Sequence, residues 1–155
     1  MRLRPVFALA AGAMLAFTPA ASRPAPDKPG ATIRLPGLQY QVLHSGPAGG
    51  AHPTRADTVA IRYVGRLANG AIFSTSAEDG SGLSNFPVRM VIPGFSALVQ
   101  LMRPGDRWRL TIPSYLGYGS QGRRYGTAEA NLKRDIPPDS ELVFDVELVS
   151  IAKPE

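Results

Sequence analysis

From Leu38 onward the chain alternates apolar and polar residues in short runs. Leu38, Tyr40 and Val42 are interleaved with Gln39 and Gln41, the period-2 pattern of a strand with one face buried. Val59, Ile61 and Tyr63 repeat it against Ala60, Arg62 and Val64. Asn69-Gly70 follows, and because both residues tolerate positive φ the pair predicts a tight hairpin turn into Ala71-Ile72-Phe73. Trp108, Leu110 and Ile112 alternate with Arg107, Arg109 and Thr111; Leu142, Phe144, Val146 and Leu148 alternate with Val143, Asp145 and Glu147. One segment changes period. Phe95, Leu98, Val99 and Met102 fall at i, i+3, i+4 and i+7, which predicts a short amphipathic helix over 95–102, between Pro93-Gly94 and Pro104-Gly105. Antiparallel strands with one helix laid across their apolar face predict an α+β domain. No internal repeat or second domain interrupts the pattern.

The chain ahead of Leu38 reads differently. Arg2 and Arg4 precede an uncharged apolar run, Val6 to Phe17, and small residues follow at 18–22. A positive start, a short apolar stretch and a small-residue exit describe a secretory signal peptide over 1–22. The run is too short for the ~20 apolar residues of a membrane span, so no stable span is expected after cleavage. Residues 23–37, with four prolines and two glycines, are expected to form an extended tether. The globular domain is then expected over 38–152, behind an address that directs it to the periplasm or outside the cell.

Composition removes whole classes of chemistry. The 155 residues include no Cys and two His, His44 and His52, which excludes a disulfide scaffold, a thiolate zinc site and a cysteine nucleophile. The formal charge of +5 includes two arginines of the leader. Without them, 15 basic residues face 12 acidic ones, a balance of +3 scattered along the chain, and nucleic-acid binding is not expected. Gly117-x-Gly119-x-x-Gly122 matches the letters of a dinucleotide fingerprint, but Arg123 and Arg124 stand where a helix should open and no βαβ unit surrounds it. Neither histidine has an evident acid partner, so a hydrolase triad is unsupported. No metal or cofactor is implied.

Four signatures then occur in a telling order. They are Val59-x-Ile61-x-Tyr63-x-Gly65-x-Leu67 with Asn69-Gly70 and Phe73; Val91-Ile92-Pro93-Gly94; Tyr118-Gly119; and Ile136-Pro137-Pro138 with Leu142 to Leu148. Together they resemble the FKBP-type peptidyl-prolyl isomerases, in their secreted single-domain bacterial form, from about Gly37 to Ile151. The resemblance implies a twisted antiparallel five-stranded sheet wrapped around one short helix, with a cleft between them that takes a proline ring. It assigns Tyr63, Phe73, Phe86, Val91, Ile92, Phe95, Tyr118, Ile136 and Phe144 to that cleft. The Tyr118 hydroxyl and the backbone N–H of Ile136 are the implied donors to substrate carbonyls. Proline-containing unfolded or flexible polypeptides are the implied partners, with macrolide inhibitors as further ligands, and a monomer is expected.

Such a reaction suits a chain without reactive groups. Rotation about X–Pro breaks amide resonance, a barrier of about 18–20 kcal/mol, and makes no bond to the peptide. Two positions depart from the family pattern. Ser74 stands where active members carry Asp, and Phe95 where they usually carry Trp, so the expected rate is reduced. The alternative function is a non-catalytic or weakly catalytic proline-peptide-binding or chaperone module using the same pocket. The stretch 120–134 is longer than the usual link and carries Arg123, Arg124, Lys133 and Arg134 against Glu129; it is expected to be a solvated, mobile insertion, the alternative being that, since the resemblance implies a loop overhanging the cleft, it recruits acidic residues beside the target proline.

Overall fold

The computed structural model describes residues 28–76, 82–125 and 134–154. The expected signal peptide therefore lies outside the described residues, as do the first residues of the expected tether.

Among the described residues, seven strands form one antiparallel sheet: β1 (Thr32–Leu35), β2 (Leu38–His44), β3 (Thr58–Leu67), β4 (Ile72–Thr75), β5 (Ser84–Pro87), β6 (Arg107–Ile112) and β7 (Leu142–Ala152). Their order is β1-β2-β6-β7-β3-β4, with β5 also paired to β3. The last strand β7 lies between β6 and β3 and pairs with β3 from Thr58↔Ala152 to Leu67↔Leu142. Since β7 occupies one edge of β3, the other edge is shared: β5 pairs with Thr58 to Ile61 and β4 with Val64 to Arg66.

The strand count corrects the expected five. One added strand, β1, falls inside the stretch read as a tether. Its prolines and glycines flank Ile33 and Leu35, which pack against the core, and Pro36-Gly37 turns the chain directly into β2. The other, β5, is too short for its period to register.

The alternation elsewhere is realised. Tyr40 and Val42, Trp108 to Ile112 at every second position, and Leu142 to Leu148 likewise are buried. Tyr40 stacks on Trp108 with ring centroids 4.2 Å apart and planes 8° from parallel. Helix α1 (Pro93–Val99) begins two residues before its expected start, because Pro93 has the φ of a first helical turn and needs no N–H bond there. A turn carries Met102 into the core beside Leu98 and Val99, all three fully buried.

Two buried carboxylates pin the loops. Asp57 accepts the Thr54 N–H at 2.7 Å and Lys153 Nζ at 2.9 Å, tying the start of β3 to the C-terminal segment. Asp106 accepts the amides of Gly46 and Arg103, both at 2.7 Å, just before β6. The result is a rigid frame on which α1 and the loop after β6 face each other.

Candidate active site

Between α1 and the sheet lies a cleft of about 390 Å³, within the usual range for small-ligand sites. Each element contributes inward residues. Ile61 and Tyr63 come from β3, Phe73 and Ser74 from β4, Phe86 from β5 and Phe144 from β7. Met90, Val91, Ile92 and Phe95 enter from the approach to α1 and its first turn, and Tyr118, Arg123 and Tyr125 from the loop after β6.

Phe144 is the centre of this arrangement. Its ring meets Phe73 edge to face at 5.5 Å and 89°, Phe95 at 5.2 Å and 76°, and lies 6.3 Å from Tyr63. Tyr63 in turn meets Phe86 at 5.8 Å and 66°. Such edge contacts are worth about 0.5–1.5 kcal/mol each beyond the burial of area. Gly65 makes the packing possible, since a Cβ there would stand 2.8 Å from Phe73 Cζ and 3.0 Å from Phe144 Cε1. Two rings thus lie against bare backbone.

The polar groups of the cleft are few. The Tyr63 hydroxyl and Ser74 Oγ are 2.7 Å apart and buried, so the serine keeps a hydrogen-bond partner on the tyrosine where a carboxylate was the family expectation. The Tyr63 amide donates to Ser76 Oγ at 3.0 Å. Across the cleft, the half-buried Tyr118 has its hydroxyl 3.4 Å from that of Tyr125, at the long end for a hydrogen bond. Burial pushes the Tyr125 phenol well above the ordinary tyrosine range, and the contact with Tyr118 adds to it. Its amide donates to Asp135 Oδ1 at 2.9 Å. No His, Asp, Glu, Lys or Cys is among the described residues lining the cleft. His44 and His52 are exposed elsewhere, the latter against the Met102 carbonyl.

Nine of the ten residues singled out in the sequence converge here: Tyr63, Phe73, Ser74, Phe86, Val91, Ile92, Phe95, Tyr118 and Phe144. Ile136 does not. Its side chain is buried in the core, 3% exposed, and its N–H donates to the Arg123 carbonyl at 2.8 Å. The expected donor is therefore already engaged. A different amide is open: Ile92, immediately before α1, accepts the first helical bond on its carbonyl, from Ser96 N–H at 3.0 Å, while its own N–H meets no acceptor among the described residues.

The reading of 120–134 as a solvated insertion also needs correction at its near end. Arg123 bridges Ile136 through both backbone bonds, and Arg123 and Tyr125 form part of the cleft wall. Neither follows a period, so no pattern could place them. Met90 was missed for a similar reason, being 74% exposed on a short 3-10 turn beside Val91-Ile92. Ile61 was legible only as a core position of β3.

Comparison with known proteins agrees with this geometry. Residues 49–149 match the family model of the FKBP-type peptidyl-prolyl cis-trans isomerase. The chain is 42% identical over 124 residues to the FKBP-type 22 kDa peptidyl-prolyl cis-trans isomerase of Escherichia coli, covering 80% of this chain and 54% of that protein. It is 37% identical over 127 residues to the peptidyl-prolyl cis-trans isomerase Mip of Coxiella burnetii, covering 82% and 50%. The chain thus spans about half the length of the curated relatives it matches. Among solved structures it resembles a peptidyl-prolyl cis-trans isomerase from Pseudomonas syringae, with a TM-score of 0.66 and 35% identity over 81% of this chain and 84% of that one. It also resembles FkpA from Escherichia coli, with a TM-score of 0.65 and 36% identity over 76% and 49%. An aromatic cleft whose described lining holds no His, Asp, Glu, Lys or Cys, on this sheet and helix, belongs with these matches, and the chain is a member of the FKBP-type peptidyl-prolyl cis-trans isomerase family.

Proposed function

We propose that the protein accelerates cis–trans rotation about X–Pro bonds in secreted or periplasmic polypeptides. The observation that carries this reading is the pairing of an aromatic cleft with two neutral donors on its walls, the Tyr118 hydroxyl and the open Ile92 amide. The proline ring fits against Tyr63, Phe86, Phe95 and Phe144. Val91 and Ile92 hold it from the helix side.

Rate then comes from differential binding. The planar amide is more polar than the twisted one, so an apolar cleft disfavours the ground state more than the rotated state. A donor placed to meet the carbonyl only after rotation adds to that difference. Together they need to remove about 5 kcal/mol for a gain of roughly 10³–10⁴. The Ile92 amide takes the part first assigned to Ile136. The described lining supplies apolar walls and neutral donors, and rotation needs no more than these, because no bond to the peptide is made or broken.

The test is isomerisation of a short Leu-Pro peptide, followed by NMR exchange between the two isomers. Acceleration above the uncatalysed rate supports the reading; binding without acceleration overturns it. Macrolides that present a ring to the same aromatic walls should compete with the peptide.

Export is part of the same proposal. The basic start and apolar run at 2–17 support a cleaved leader, checked by N-terminal sequencing of the protein recovered from the periplasm. No helix among the described residues is long and apolar enough to cross a membrane. The exposed large apolar side chains Leu43, Ile72, Met90, Leu101 and Tyr115 come from five separate segments, which supports a monomer, to be measured by sedimentation.

A further inference from the structure

We propose that Arg123 makes the cleft select an acidic residue immediately before the target proline. The inference rests on the isomerase reading above and adds to it a preference set by this chain's own loop.

An exposed arginine is ordinarily a solvated charge, but this one is held at three points. Its backbone is fixed to Ile136 in both directions, N–H to carbonyl at 2.9 Å and carbonyl to N–H at 2.8 Å. The preceding Gly122 has φ 63°, and a Cβ there would stand 2.8 Å from Pro137 C, so the approach of the two segments requires glycine. The guanidinium carbon then lies 5.4 Å from the centroid of the Tyr125 ring, over its face. A cation so placed has little freedom left to lose when it meets an anion.

Position and charge point the same way. The Tyr125 hydroxyl is 3.4 Å from that of Tyr118, which of the two donors is the one we place on the rotating carbonyl. That carbonyl belongs to the residue before proline, so a peptide bound in this way brings that residue to the side of the cleft lined by Tyr118, Tyr125 and Arg123. Arg123 is the one charged side chain among the described residues lining the cleft. No carboxylate among the described residues forms an ion pair with it. Asp135, the acid on the facing segment, has Oδ1 engaged by the Tyr125 amide. A Glu or Asp before proline would supply the missing counter-charge, and a Lys there would be repelled.

The experiment uses the full chain and peptides Ala-X-Pro-Phe with X as Glu, Gln or Lys. In the native protein kcat/KM for Glu should exceed that for Gln by about 1.5–5-fold, the range of a partly exposed ion pair, and Lys should fall below Gln. Arg123→Gln should bring the Glu/Gln ratio to about one, and Arg123→Glu should invert the Glu/Lys order. Salt at 1 M, where the screening length is about 3 Å, should erase the preference. A Glu/Gln ratio near one in the native protein, or one that Arg123→Gln leaves unchanged, overturns the proposal. If no peptide is accelerated, the isomerase reading fails; NMR titration with the Glu and Gln peptides then decides the role of Arg123, equal affinities overturning it.

Discussion

Replacing Ile92 by proline separates the role of its amide from that of its side chain. Ile92 has φ −57° and ψ 148°, and the preceding Val91 has φ −92° and ψ 166°. The first value is already that of proline, and the second pair is what a residue before proline prefers. The Ile92 N–H has no acceptor among the described residues, so Ile92→Pro breaks no native bond. It removes one donor from the cleft. Ile92→Ala, which trims the side chain but keeps the donor, is the control. A neutral hydrogen bond is worth about 0.5–1.5 kcal/mol, so kcat/KM for a Leu-Pro peptide should fall about 2- to 12-fold further in the proline variant than in the alanine one. Stability should move the other way. Proline restricts the unfolded chain and should raise stability relative to alanine by about 0.4–1 kcal/mol, visible as a higher Tm. Equal kcat/KM in the two variants would refute the assignment of the donor. A lower Tm for Ile92→Pro would refute the claim that this amide is unpaired.

Tyr118→Phe should lower kcat/KM by a similar 2- to 12-fold while leaving Tm nearly unchanged, because among the described residues its hydroxyl makes only the 3.4 Å contact with Tyr125. Ser74→Ala should destabilise by about 1 kcal/mol, lowering Tm by roughly 3–6 °C in calorimetry, because it deletes a buried 2.7 Å partner of the Tyr63 hydroxyl. The rate should be flat from about pH 5.5 to 8, since the described lining holds no group that titrates there; a bell-shaped profile would reveal a missed acid or base. Acid should act on stability instead. The backbone bond from Thr54 and then Lys153 hold Asp57 below the usual carboxylate range, and Arg109 does the same for Asp145. A lowered folded pKa means that their contribution is complete above the unfolded value of about 3.9 and is lost as pH falls through the folded one. Urea midpoints should therefore drop below about pH 4, and less steeply in Asp57→Asn.

The rings of the cleft were legible in the sequence because they occupy strand positions. Tyr63 and Phe144 alternate with less buried neighbours and Phe73 follows exposed Ile72, and burial on one face of a pleated strand brings them together whatever the loops do. The helix was legible from Phe95, Leu98 and Val99, which need a common side. Strand β1 was not, since Thr32 to Leu35 is bounded by prolines and glycines that also describe a tether. Its identity depends on what β2 offers as a partner. Which amide is open was not legible for a related reason. Whether a given N–H is open depends on which segment passes beside it, and only the approach of Arg123 to Ile136 shows that the latter is taken.

Packing also decides which parts of the cleft can be changed without loss of the fold. Phe144 is 6% exposed and touches three other rings, so truncating it to alanine would cost about 3–5 kcal/mol and empty the core along with the cleft. Phe73 and Tyr63 share that burden. Substitutions at these positions confuse folding with function. The groups proposed to contact the substrate's polar atoms, by contrast, sit where the frame does not depend on them. Among the described residues, the Ile92 amide precedes the helix, the Tyr118 hydroxyl has one long contact, and the Arg123 guanidinium rests on a ring rather than in an ion pair. Recognition can therefore vary at this rim while the aromatic floor, fixed by core packing, continues to hold the proline.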